Sequence, residues 1–340
     1  MFSKTGSVYI GLAKPIRGGT GMAKKLPRYL ILLAVILVFN FALPRALPGS
    51  PVKTLGVDEG SSLTETERWQ LLEAYNLDKP LTEQFALYLK AIFTGDLGMS
   101  YSRKAPVTAV LGAALPWTLL LAVCSMILSL LLGSALGALS VRLRRKKRDM
   151  PLILGVSLIG SFPTFWLGMV FIAVFGVSLK IFPLYGAYDM WAGYTGLRRI
   201  LDVLAHMAMP LMTMTLASLM LIFTTVRTSL LSVLNEDYIR LAEMRGLSKR
   251  RINFCYQWRN AFMPVFTVVM LDLGYIFSGS VVIESVFSYP GVGKVLYDAV
   301  LKRDYPLMQY SFLLISLTVI IASVITELVY PMLDPRLRKS

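Results

Sequence analysis

Apolar residues in this chain of 340 are gathered into blocks, at 29–44, 116–141, 150–177, 206–226, 261–287 and 311–330. A helix crosses a hydrocarbon core about 30 Å thick with roughly 20 residues, and inside that core it must satisfy its own backbone polar groups. The blocks predict an all-α polytopic membrane protein with six transmembrane helices. The first block is short, ended by Pro44 and Arg45 and preceded by Lys24, Lys25 and Arg28 in the manner of a signal peptide. No small-x-small cleavage site precedes the turn at 47–51, so it reads as a retained helix.

The polar intervals differ in kind. Residues 1–28 are rich in Gly and Lys without an apolar period, and read as an unfolded or interfacial tail. The interval 45–115 is long enough to carry its own structure. Within it, 64–75 opens with capping residues and acids, and Leu81, Phe85, Leu89 and Ile92 recur at helical spacing after Asp78-Lys79-Pro80. A small helical cap closed by the turn Gly95-Asp96-Leu97-Gly98 follows from that pattern. Pro163 lies inside the third block, where it removes one helical hydrogen bond and kinks the helix. Either tight packing or a water-lined path accommodates such a kink.

The segment 235–264 interrupts the apolar pattern with nine charged residues between two blocks. Asn235 suits an N-cap, Glu236 and Asp237 suit the positive end of a helix, and Gly246 suits the left-handed position after its last turn. Residues 236–245 therefore read as a short helix, with Tyr238, Leu241 and Ala242 on one face and Glu236, Arg240 and Glu243 on the other. Glu236 and Arg240 stand at i, i+4 spacing. Ser248 caps a second helix through Lys249, Arg250 and Arg251 that leads to Pro264. Ten residues of helix are marginal alone in water, so the apolar face rests either on the membrane and its own subunit or in a groove of a separate protein.

Composition and charge fix the class and an orientation. The chain is 55% hydrophobic and 16% charged with a mean hydropathy of +0.61, against about 25% charged in soluble domains. Segments 1–28, 142–149, 227–260 and 331–340 hold 22 of the 35 Lys and Arg residues in 80 positions, while 45–115, 178–205 and 288–310 hold 13 in 122. By the positive-inside rule both termini and the 235–260 loop face the cytoplasm. The net charge of +15 then reflects orientation and contact with membrane lipid, and no nucleic acid partner is implied. The expected divisions are a basic tail (1–28), a first span (29–44), an extracytoplasmic helical loop (45–115), a five-helix core including the loop 235–260 (116–330) and a cytoplasmic tail (331–340).

Candidate chemistry is sparse. A carboxylate at the centre of a membrane helix costs about 2.5–3.5 kcal/mol on insertion scales, so Asp272, Glu284 and Glu327 must face protein or water. Asp272 lies eight residues past Pro264, about 12 Å deep. It is the candidate for a translocation path, with an interhelical hydrogen bond as the alternative, whereas Glu284 and Glu327 near block ends read as anchors. His206 is the only histidine and lacks Cys or acidic neighbours at ligand spacing, which argues against a metal site. Cys124 and Cys255 make no disulfide framework, and no nucleophile with its base is discernible. The stretch YPGVGKV has Val295 where a phosphate loop needs Ser or Thr and Ser288 where it needs Gly. No catalytic residue and no cofactor is therefore assigned to this chain. A secondary transporter or a membrane enzyme would need paired broken helices or a polar catalytic cluster respectively.

The run DYIRLAEMRGLSKRRINFCYQWRNAFMPV resembles the cytoplasmic coupling loop of binding-protein-dependent ABC import permeases of the dipeptide, oligopeptide and nickel branch. Asp237, Tyr238, Ile239, Arg240, Ala242, Arg245, Gly246, Leu247, Ser248, Arg259, Asn260, Ala261 and Pro264 match that pattern in register. LPGSP at 47–51, GDLGMS at 95–100, SFPTFW at 161–166, ESVFSYPGVGK at 284–294 and DPR at 334–336 resemble further landmarks of the family, in family order. Glu243, Met244 and Tyr256 depart from its usual residues. The resemblance implies a permease subunit forming half of a path for di- or oligopeptides, or in related systems nickel or sugars. It implies a second, nonidentical permease subunit, two cytoplasmic ATPase subunits that carry ATP and Mg, an extracytoplasmic solute-binding protein, and residence in a prokaryotic plasma membrane. It also implies that Asp237, Tyr238, Arg240, Leu241, Ala242, Glu243, Arg245, Gly246, Leu247 and Ser248 couple the membrane helices to the ATPase.

Overall fold

The computed structural model describes residues 22–46, 76–144 and 146–333, with Thr66, Trp69, Leu72 and Glu73 described between the first two stretches. In chain order the helices are α1 (Met22–Ala46), α2 (Leu81–Thr94), α3 (Val107–Arg144), α4 (Met150–Gly160), α5 (Thr164–Phe171, continued by a π-helical stretch Ile172–Ser178), α6 (Gly196–Leu234), α7 (Asp237–Met244), α8 (Arg259–Val286), α9 (Val292–Leu301) and α10 (Tyr305–Leu333). A single turn, Lys249–Arg251, and a second π stretch, Ile252–Trp258, join α7 to α8. Among the described residues no strand forms, and the fold is all-α as the block pattern requires.

Helices overrun the apolar blocks. The second span begins at Val107 rather than 116, because Pro116 sits inside the helix rather than at its start. The fourth begins at Gly196 rather than 206, adding polar turns that a hydropathy reading omits. The third block is no single kinked helix. Its two halves, Met150–Gly160 and Thr164–Ser178, are bent by 94° around Ser161–Pro163. Pro163 is extended (φ −59°, ψ 138°) and caps the second half. Four helices among the described residues are long and apolar enough to cross a membrane, and the bent pair counted as one span would make a fifth.

The centre of the molecule is the pairing of α3 with α6. Ser125, Ser129, Gly133 and Gly137 recur every four residues along α3 and are buried. A Cβ on Gly133 would stand 2.7 Å from Ile222 Cγ2, and one on Gly137 would stand 2.8 Å from Val226 Cγ1. Small residues at this spacing let membrane helices approach closely enough for backbone-scale packing. α8 packs against both helices, and α10 packs against α8 and α1. A hydrogen bond between Tyr29 and Glu327 links the starting turns of α1 to α10, which makes Glu327 an anchor.

The two ends of the bundle are distinct. At the end carrying the 142–149 and 235–260 loops, Val141, Val233, Ile239, Ala242, Ile252 and Ala261 share one buried cluster. At the opposite end the cluster joins Phe41 of α1, Tyr88 of α2, Val107 and Leu111 of α3, Val292 and Val295 of α9 and Leu307 of α10. α2 is the expected cap helix, ended by Gly95 at φ +74° and closed by Gly98 at φ +73°, whose N–H bonds Asp96. Arg45 donates from Nε and Nη2 to Gln84 Oε1 at 3.1 and 2.8 Å, tying α1 to this cap. Of the proposed cap helix at 64–75 only Thr66, Trp69, Leu72 and Glu73 are described, all helical; the rest lies outside the described residues, as do the tail 1–21, the 47–51 turn and 334–336.

Buried carboxylates hold the second end together. Glu284 is fully buried and accepts from Thr118 Oγ1 at 2.8 Å, Gly293 N at 2.7 Å and Lys294 N at 3.2 Å. The glycine-rich stretch that resembles a phosphate loop thus already donates its N–H groups to a carboxyl group, that of Glu284. Gly291 and Gly293 are required by proximity: a Cβ on Gly293 would lie 2.5 Å from Val281 Cα. Asp304, also fully buried, accepts from Ser100 Oγ at 2.6 Å and from Ser102 N and Oγ at 2.9 Å each, and from Leu307 N in the first turn of α10. The bond from Leu307 N is a local helix N-cap, whereas Ser100 and Ser102 lie some two hundred residues away and no local pattern points to them.

Candidate functional site

Two features are the candidates for a functional site, the α7 segment and a cavity beside Asp272. α7 runs from Asp237 to Met244, one residue shorter at each end than the charge pattern predicts. Asn235 does not cap it. Its backbone stays helical (φ −88°, ψ −4°) and finishes α6, and the extended residue before α7 is Glu236 (φ −76°, ψ 142°). Arg240 consequently pairs with Asp237, at 3.9 Å across an exposed i, i+3 step, instead of with Glu236.

The buried face of α7 is also rotated from the expected one. Ile239 and Ala242 are the buried residues, 2% and 3% exposed, with Tyr238 and Leu247 packed at the edge of the same cluster. Leu241 is 52% exposed and Met244 75%. The helix therefore rests on its own chain through Ile239 and Ala242. It presents Arg240, Leu241, Glu243, Met244 and Arg245 outward. Leu241 and Met244 are thus an exposed apolar pair amid charges.

The end of α7 follows the sequence. Gly246 sits at φ +69°, its N–H bonded to Glu243 O and that of Leu247 to Ala242 O, a left-handed helix stop. Ser248 Oγ accepts from Arg251 N at 3.4 Å and caps the following turn. The π stretch then feeds directly into α8, with Gln257 reaching Leu230 O of α6 at 3.4 Å. A cavity of about 260 Å³ lies beneath, lined by Arg142, Leu234, Glu243, Lys249 and Trp258 among others. At the same end Arg227 Nη2 donates to Asp149 Oδ2 at 2.8 Å, and its Nε donates to Ser140 Oγ at 2.9 Å. That bond from Arg227 holds the Asp149 carboxyl below the usual carboxylate range. Sequence reading missed this clamp, whose partners are far apart in the chain.

Asp272 lies on α8, 4% exposed. One oxygen is hydrogen-bonded by Ser218 of α6, and Oδ2 has no hydrogen-bond partner. The residue lines a cavity of about 440 Å³ together with Thr164, Met214, Ser218, Ile276 and Ile283, so it joins α8 and α6 to the start of α5 just past the 94° break. The interhelical hydrogen bond of one reading of Asp272 is present, and the carboxyl also borders open space. His206 does have an acidic neighbour, contrary to the sequence reading. Its Nδ1 lies 3.1 Å from Asp202 Oδ1, one helical turn back, and Asp202 Oδ2 accepts from Asp189 N. No group of three or more His, Cys, Asp or Glu residues suited to a metal occurs among the described residues.

Comparison with known proteins fits this layout. Residues 129–339 match the family of binding-protein-dependent transport system inner membrane components, and the chain belongs to that family. It is a membrane-embedded permease of an ABC importer, a system in which the ATPase and the binding protein are further components. Among similar proteins, the dipeptide transport system permease DppB of Escherichia coli strain K12 is 33% identical over 321 residues, covering 89% of this chain and 94% of its own. The oligopeptide permease AppB of Bacillus subtilis is 33% identical, covering 90% of this chain and 95% of its own. The glutathione permease GsiC of Pectobacterium atrosepticum is 35% identical, covering 91% and 94%. In fold, the chain is similar to the MetNI methionine ABC transporter, with a TM-score of 0.55 over 66% of this chain and 96% of that one at 15% identity.

Proposed function

We propose that this chain is one of two permease subunits of an importer that moves di- or oligopeptides inward, driven by ATP and Mg on two cytoplasmic ATPase subunits and supplied by an extracytoplasmic binding protein. In this reading the six blocks are six spans, the bent pair α4–α5 being one of them, and both termini lie in the cytoplasm. Residues 45–115 face the opposite side and meet the binding protein, and the second permease subunit is a nonidentical relative. Asp237 to Ser248 form the contact with the ATPase, and Asp272 borders the path. The peptide cargo is supported by the named substrates of relatives that match nearly the full length.

One observation carries the mechanism. α7 leaves Leu241 and Met244 exposed, and after the stop at Gly246 and the cap at Ser248 the chain runs through the π stretch into the helix that bears Asp272. Displacement of α7 by an ATPase therefore acts on α8 across one short turn. The test is reconstitution of this chain with its partner permease, ATPases and binding protein. Dipeptide uptake should require ATP, and Leu241→Ser with Met244→Ser should uncouple it at normal membrane abundance. Full uptake by that double variant would sink the assignment of α7.

A further inference from the structure

Resting on the peptide reading above, we propose that the cavity beside Asp272 is a subsite for the protonated amino end of the cargo. Burying a carboxylate is costly unless a cation or a full set of hydrogen bonds accompanies it. Among the described residues the two fully buried acids, Glu284 and Asp304, meet that demand with three or more donors each. Asp272 has Ser218 alone, and its Oδ2 is unpartnered.

No cation lines the cavity among the described residues. Among those residues Asp272 is its single ionisable side chain, set among Thr164, Ser218 and apolar residues. The space of about 440 Å³ suits one end of a small molecule rather than a bridging water alone. An ammonium group supplies both the missing charge and the missing donor, through a charge-assisted hydrogen bond. The hydroxyls of Thr164 and Ser218 offer acceptors for its remaining protons. An anionic group would be repelled, and an uncharged donor would supply the hydrogen bond but not the missing charge.

The site chemistry is testable without knowing the cargo. In a Cys124→Ser, Cys255→Ser background, Ala217→Cys places a thiol at an exposed position on the cavity wall. Its rates of labelling by cationic and anionic methanethiosulfonate reagents are then compared in the assembled transporter. The cationic reagent should be favoured by roughly tenfold or more over its intrinsic preference, and Asp272→Asn should abolish that excess. Asp272→Glu should retain it, which separates loss of charge from loss of packing. An excess unchanged by Asp272→Asn would overturn the subsite. The second arm measures uptake in vesicles of a dipeptide with a free amino end. Asp272→Asn at normal abundance should slow it by about tenfold, and unaltered uptake would also overturn the proposal. If the wild type imported no dipeptide at all, the cargo reading would fall instead, and the labelling excess would still uphold or overturn a cation site.

Discussion

Two short helices lie at opposite ends of the bundle, α7 with eight residues and α9 with ten, and they are held by different means. α9 buries Val292, Gly293, Val295, Leu296 and Ala299, and its first N–H groups are bonded by Glu284 and Thr118. α7 buries two residues, has no side-chain cap, and turns its charged face outward. The first is locked to the bundle by groups that cannot move without leaving buried polar atoms unsatisfied. The second can be displaced at the cost of a small apolar contact. α8 connects the two, so a force applied at α7 acts against a fixed end at α9.

The largest effects should come from breaking the lock. Gly293→Ala puts a methyl group against the Val281 backbone, which cannot yield like the end of a flexible side chain. Overpacking of this kind costs about 1–3 kcal/mol or more, and here it also displaces Glu284. Glu284→Ala strands Thr118 and two backbone N–H groups, a loss on the order of 3 kcal/mol. Both variants should lower the unfolding midpoint in detergent and the amount of protein in membranes. Glu284→Gln, which keeps an acceptor, should lose markedly less. Equal stability of all three variants with the wild type would show that α9 is not the fixed end.

Next come changes that loosen α7. Gly246→Val forces a β-branched residue into a left-handed conformation, at about 1–2 kcal/mol, although nothing lies within 4 Å of a Cβ there. Because the space is open, the strain is purely in the backbone. Gly246→Asn, which tolerates that conformation, should behave like the wild type. The valine variant should keep near-normal abundance while losing ATPase association and uptake; retention of both would break the contrast drawn between α7 and α9. Ile239→Ala and Leu241→Ala sharpen it further. The buried Ile239 should cost about 2 kcal/mol or more of stability, and the exposed Leu241 less than about 0.5 kcal/mol.

How far these regions were legible in the sequence follows from the range of the interactions. The spans, the cap helix α2, the stop at Gly246 and the cap at Ser248 depend on neighbours within a few positions, and the pattern reveals them. The rotation of α7, which buries Ile239 instead of Leu241, depends on what α6 and α8 offer it, and eight residues of amphipathic pattern do not fix that angle. The helix start at Gly196 is hidden because its first turns carry Arg198, Arg199 and Asp202 outside the apolar block, and the start at Val107 because Pro116 reads as a helix beginning rather than an interior residue. Ser125, Ser129, Gly133 and Gly137 are visible as a four-residue repeat, but only Ile222 and Val226 explain it. Thr118 for Glu284, Ser100 and Ser102 for Asp304, and Arg227 for Asp149 lie far away in the chain, beyond any local signal. Asp272 stood out from the start because a charge in an apolar block is costly wherever it points.

The smallest effect concerns the clamp beside α7, where Arg227 meets Asp149. The hydrogen bond from Arg227 lowers the Asp149 pKa in the folded protein, so the unfolded chain binds its proton more readily. With the folded value depressed, the stabilisation is fully present above the ordinary carboxylate value near 3.9 and is lost as pH falls through the folded value. The clamp should therefore be indifferent to pH throughout the physiological range. Asp149→Asn should lower the unfolding midpoint by a small amount that is constant from about pH 8 to pH 5. Below about pH 4 the wild type should approach the variant, as both then lack the charge. A gap that opened or closed between pH 8 and pH 5 would mean that another titrating group, rather than Asp149, sets the stability of this end.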